Sequence, residues 1–160
     1  MKPIALILLF GLCTMVGMQI AAQKTERYQR ISGLLSDLST LTETFEAGMR
    51  SLPKLAENSD GELFERLRIY LASREQLGTE KDAAAKAADA WPANTKEHQA
   101  LVTFFTGLSA MNADQIKNRI EQLTRSLEAV QLEAGETAKQ AKTIRAVSVL
   151  IGTGICILLL

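Results

Sequence analysis

Two uncharged, apolar segments stand at the two ends of this chain, Ile4 to Ala22 and Ala146 to Leu160, and every acidic side chain lies between them. Nothing else in the sequence restricts the fold as much. The first segment runs for 19 residues without a charge. At roughly 1.5 Å per residue a helix of that length reaches about 28 Å, close to the hydrocarbon thickness of a bilayer at about 30 Å. The layout predicts a membrane hairpin: residues 4–22 as a first transmembrane helix, 23–145 as one polar domain, and 146–160 as a second transmembrane helix. The second segment has 15 residues, about 22 Å of helix and short for a crossing. The chain is therefore expected to continue beyond Leu160, with a tail anchor ending there as the alternative. A cleaved signal peptide is the alternative for the first segment, with Lys2 as a basic start and Ile20-Ala21-Ala22 as a small-residue cleavage site. Lipid attachment at Cys13 is disfavoured by the bulky Leu12 directly before it.

Orientation divides the signals. Lys24, Arg27 and Arg30 follow the first segment, and Lys139, Lys142 and Arg145 precede the second, which taken alone would place the domain in the cytoplasm. Loops beyond about 60 residues translocate largely regardless of charge, and the expected location is the bacterial cytoplasmic membrane with the domain outside the cytoplasm.

Composition then bounds the middle. Residues 23–145 carry 17 basic against 18 acidic side chains, and only Pro53 and Pro92 interrupt them. A nearly neutral, alanine- and leucine-rich stretch of this kind reads as all-helical and not as a nucleic-acid binder. Both cysteines, Cys13 and Cys156, lie in the apolar segments, so neither a disulfide framework nor a zinc pattern is present. No cofactor and no metal is expected.

Hydrophobic periodicity is strongest in two long rows. Tyr28, Ile31, Leu35, Leu38, Thr42, Phe45, Met49 and Leu52 alternate steps of three and four, a heptad seam with one polar exception. Ile116, Ile120, Leu123, Leu127, Val130, Ala134, Thr137, Ala141 and Ile144 form the second, and Ile151, Ile155 and Leu158 carry its phase into the apolar tail. Each row predicts a rod continuous with an apolar segment. Shorter helices are marked between them by Ser59 with Glu62, Thr79 with Asp82, Asn94 with Glu97, and Asn112 with Gln115, each a cap residue followed three positions on by an acceptor. Gly78 is expected to kink a helix running from Asp60 to Trp91, and Trp91 before Pro92 to end it. The expected fold is all-α: an elongated antiparallel four-helix bundle, up-down-up-down, with its first and last helices running into the membrane.

In that order of features the chain resembles the four-helix-bundle sensor modules of methyl-accepting chemotaxis receptors and some sensor histidine kinases. The resemblance rests on architecture over the whole chain, without a sequence motif. It implies a homodimer, ligand recognition by the part of the bundle far from the membrane, and a displacement of the last helix passed through the bilayer. The family's downstream linker and its methylated coiled coil or kinase core are absent from this sequence, which leaves the output open.

No catalytic constellation is legible, and the chain is not expected to be an enzyme. His98, the only histidine, falls among polar residues and reads as exposed. Glu62 with Arg66 and Glu121 with Arg125 read as helix-supporting charge pairs. Trp91 reads as a loop-packing anchor, and Phe104-Phe105 as one inward ring beside one edge ring. The nominated ligand-binding residues are Arg50, Arg66 and Arg119, placed at similar height from the distal turns, where three guanidinium groups could hold a small carboxylate-bearing ligand; the alternative is three solvated arginines paired with Glu46, Glu62 and Glu121. The functional expectation is the sensing part of a dimeric transmembrane receptor in contact with the lipid bilayer. The competing expectation is a structural membrane tether that presents a helical domain to partner proteins.

Overall fold

The computed structural model describes the backbone of residues 2–48 and 51–159, and the side chains of these apart from 2–10, 13, 58, 142, 145, 152 and 155–159. The chain is all-helical, and no strand occurs among the described residues. It runs through α1 (Lys2–Glu46), α2 (Leu52–Asn58), α3 (Glu62–Leu77), α4 (Glu80–Ala88), α5 (Lys96–Phe105), a single 3₁₀ turn (Leu108–Ala110) and α6 (Ala113–Leu159). Two compact units result. Unit 1 is Met1–Arg30 with Leu132–Leu160, and unit 2 is Ile31–Gln131.

The two long helices are each unbroken from the polar sequence into the apolar end segments, as the heptad rows predict. Membrane crossing does not follow from that continuity. No helix of the described residues is long and apolar enough to cross a membrane, so the two crossings expected from the end segments are not found among them; many of the side chains of those segments lie outside the described set. Thr14 and Gln19 on α1, and Ser148 and Thr153 on α6, place hydroxyl and amide groups within those stretches. The side chains of Cys13 and Cys156 lie outside the described set.

Within unit 1 the α1 and α6 stretches run antiparallel. A Cβ at Gly17 would collide with the side chain of Ser148, and one at Gly135 would come 3.3 Å from the Tyr28 ring. Ala21, Ala134 and Ala141 are buried between them. Small residues at such a contact let two helix axes approach more closely than leucine would allow.

Unit 2 holds the large-residue core. On α1 the buried row is Ile31, Leu34, Leu38, Leu41 and Phe45, again at steps of three and four. The expected seam shares Ile31, Leu38 and Phe45 with it, but Leu35 and Thr42 lie half-buried on its flank. The buried stripe is thus centred about one residue away from the sequence reading. On α6 Ile116, Ile120, Leu123, Leu127 and Val130 are buried, as expected. Both rows are covered by helices of the same chain. The seam's two threonines satisfy themselves locally: Thr42 Oγ1 donates to Leu38 O at 2.8 Å and Thr137 Oγ1 to Ala134 O at 2.9 Å. In unit 2 Ser32 meets Gln131 at 3.0 Å and Glu46 meets Lys117 at 3.0 Å, which fixes an antiparallel register for the two long helices there too.

The inner passes are shorter than the sequence suggested. The first rod stops at Glu46, short of the end of its expected row: Leu52 opens α2, and Met49 lies outside the described residues. Gly78 ends α3 outright: it adopts the left-handed conformation at φ 68° and its N–H returns to Arg74 O at 3.2 Å. α4 then packs against α3 instead of prolonging it, and α5 packs against α4.

The start of α3 shows why a local motif misled. Ser59 does not cap it. The N-cap is Gly61, at φ 145°, and the helix N–H of Leu63 donates to the Asp37 carboxylate of α1 at 2.9 Å. A side chain at position 61 would occupy the space of that carboxylate. Burial holds the Asp37 carboxyl above the usual aspartate value of 3.8, Leu63 N–H pulls it back, and the nearby Glu62 charge pushes it up again.

Candidate functional site

A groove in unit 2 lies between α5 and α6, and the connections that flank α5 hold that helix in place. Before α5, Thr95 is the N-cap: its Oγ1 accepts from His98 N–H at 3.2 Å and donates to Pro92 O at 2.8 Å. Asn94 is therefore not the cap that its spacing from Glu97 suggested. His98 Nδ1 sits 3.1 Å from both Ala88 O and Trp91 O. Two carbonyl acceptors on one ring nitrogen require that nitrogen to carry the proton. The imidazole is half-buried and clasps the end of α4 to the start of α5, which corrects its reading as an exposed side chain. Trp91, 4% exposed, fills the same connection as a packing anchor.

After α5, Ser109 donates to the Glu80 carboxylate at the start of α4. Asn112 and Gln115 then form a reciprocal capping box, with Asn112 N–H to Gln115 Oε1 and Gln115 N–H to Asn112 Oδ1 both at 2.9 Å. Phe104 and Phe105 are both buried, at 3% and 0% exposure, so neither is the edge ring expected. Their rings meet edge to face at 5.1 Å, and Phe105 stacks on Tyr70 of α3 at 5.4 Å.

These anchors leave a groove of about 320 Å³. Phe104, Leu123 and Val130 form its apolar floor, and Gln99, Thr103, Gln122 and Ser126 its polar walls. Ala100 and Ala129 line it as well, and their small side chains leave open the space that larger ones would fill. Lys96 and Arg119 are the only charged residues in the lining, and both are basic. Arg119, half-buried, also borders an adjoining depression of about 280 Å³ with Met111, Gln115 and Asn118.

Of the nominated arginines, Arg119 lines a groove. Arg66, on α3, is half-buried with its Nε enclosed and without a hydrogen-bond partner, and it borders neither depression that Arg119 lines. Arg50 lies outside the described residues. Of the expected acidic partners, Glu46 pairs with Lys117 at 3.0 Å, and Glu121 with Arg125 at 3.8 Å on an exposed face, as their helical spacing predicts. Lys117 is held above its usual 10.5, first by that hydrogen bond and then by the charge of Glu46. Gln99, Gln122 and Ser126 went unrecognised in the sequence because polar residues flanking an apolar helix face ordinarily read as solvent-facing. The legible signal was the alanine at 100 and at 129. Among the described residues no cluster of three or more histidine, cysteine, aspartate or glutamate side chains is placed to hold a metal ion.

Fold and site together define an all-helical protein with a groove between two helices. Its residues 2–160 match the family of stage III sporulation protein AB, and the chain belongs to that family. No curated protein and no solved structure matches it. Membership of a sporulation family corrects the resemblance to chemotaxis-receptor and sensor-kinase modules. The reading as part of a transmembrane signalling receptor falls with it.

Proposed function

We propose that this chain serves the third stage of sporulation as a helical docking subunit of a protein assembly, without an enzymatic activity of its own. The observation that carries the reading is the α5–α6 groove: an apolar floor of Phe104, Leu123 and Val130 between polar walls, bordered by two cations and no anion. Grooves of this build accept the apolar face of a partner helix. Arginine beside the floor adds a preference for a carboxylate on the incoming segment, because the guanidinium fork matches a carboxylate bidentately. Family membership supplies the biological setting. The antiparallel pair of long helices is the part of the expected four-pass bundle that this reading uses, since it holds the α6 wall of the groove rigid.

Replacement of Arg119 by Glu in a sporulating strain tests the proposal. The side chain is half-buried at a rim and not in the core, so the protein is expected to accumulate at its normal level while sporulation arrests at the third stage. Normal spore yield from a strain making Arg119→Glu would contradict a docking role for this groove.

A further inference from the structure

Within unit 2, α6 carries a groove on each flank, and the two are opposite in charge. The α5–α6 groove is bordered by Lys96 and Arg119. A second groove, of about 540 Å³, lies between α1 and α6: Thr124, Glu128 and Gln131 line it from α6, and Leu35, Ser39 and Glu43 from α1. Its charged residues, Glu43 and Glu128, are both acidic. At about 3.6 residues per turn, Thr124, Glu128 and Gln131 fall on the opposite side of the buried α6 row from Arg119, Gln122 and Ser126.

The charges also agree in height. The register fixed by Ser32 with Gln131 and by Glu46 with Lys117 sets Glu43 level with Ile120, beside Arg119 in height, and Glu128 lies about 12 Å further along α6. Arg119 also borders the depression that holds Met111, so it stands at the end of its groove nearest the α5–α6 connection. Lys96, the first residue of α5, stands at the other end, about 12 Å of helix from Phe104. Each groove therefore holds two like charges about 12 Å apart along α6, in step with the two of opposite sign on the other flank.

We propose, resting on the docking role of the α5–α6 groove, that its occupant is the α1 flank of a second copy of this chain, side by side and parallel, with Arg119 against Glu43 and Lys96 against Glu128. Exposed ion pairs add little affinity and chiefly set orientation; Leu35 over the floor of Phe104 and Leu123 supplies apolar burial. The small side chain of Ser39 lets the incoming helix approach closely. Because the two surfaces differ, the contact is heterologous and repeats from copy to copy into a ring or an open row.

Disulfide trapping between full-length chains that carry Cys13→Ser and Cys156→Ser tests it. One chain also carries Gln122→Cys and the other Ser39→Cys. A mixed disulfide is expected, fading as salt is raised, with little product from either chain alone. Arg119→Glu in the Gln122→Cys chain should reduce it at least about tenfold, because like charges then meet at the contact, and Glu43→Arg in the Ser39→Cys chain should restore it, with helix content by circular dichroism unchanged throughout. No mixed disulfide, a loss that Glu43→Arg does not restore, or a product from the Gln122→Cys chain alone in its place would each overturn the second copy as occupant. Sporulation arrest by Arg119→Glu alongside any of these results would leave the docking role standing with a different protein in the groove.

Discussion

Asp37 shows how one side chain can join distant parts of unit 2. It caps α3 from α1 through Leu63 N–H, so Asp37→Ala should cost about 1 kcal/mol in urea unfolding, the usual loss for a removed helix cap. Gly61→Ala should cost roughly 2 kcal/mol, because it strains a backbone at φ 145° and displaces the same carboxylate. The pH dependence follows from the raised carboxyl. The folded state holds this proton more tightly than the unfolded chain, so the penalty is absent below 3.8 and grows as pH rises from there through the folded-state value. Asp37→Asn keeps an acceptor for Leu63 and should flatten that part of the stability profile; an unchanged profile would show that Asp37 does not titrate as its burial implies. None of this was legible in the sequence. Ser59 and Glu62 satisfied the local capping rule, and the group that caps the helix is 26 positions from the N–H it receives.

At the scale of elements, local signals succeeded where both partners lie within one turn. The Asn112–Gln115 box is present as read, and Asn112→Ala should cost about 1 kcal/mol and lower the melting temperature. The α6 row was legible because its repeat is unbroken from Ile116 to Val130 and a partner covers it throughout. A paired substitution tests that reading. Leu127→Ala, at a fully buried position, should cost about 2–5 kcal/mol, whereas Leu132→Ala, 73% exposed, should stay within about 0.5 kcal/mol. Similar losses at both positions would mean that α6 is rotated from the register described. The α1 stripe was harder to place, since Leu34 and Leu35 are equally apolar neighbours at steps of three and four from Ile31, and only the packing helices choose between them. Gly78 posed a similar ambiguity. A glycine in a helical pattern is consistent with a kink or a stop, and the burial of Ala83, Ala84, Ala87 and Ala88 on α4 decides for the stop.

For the whole molecule, helix content and continuity of the long helices were readable from periodicity alone, whereas the class of protein was not. Apolar ends around a helical middle are shared by unrelated chains, and architecture without a motif does not determine function; the sporulation family does what periodicity could not. The groove was equally hidden, because it arises from what α5 and α6 fail to fill. The most direct measurement of the docking account places a photo-crosslinking amino acid at Gln122, in the wall of that groove, in otherwise native protein during sporulation. The account predicts one discrete cross-linked product at the third stage, absent when Arg119 is replaced by Glu although the protein remains at its normal level. No product from Gln122, or a product indifferent to Arg119→Glu, would contradict it.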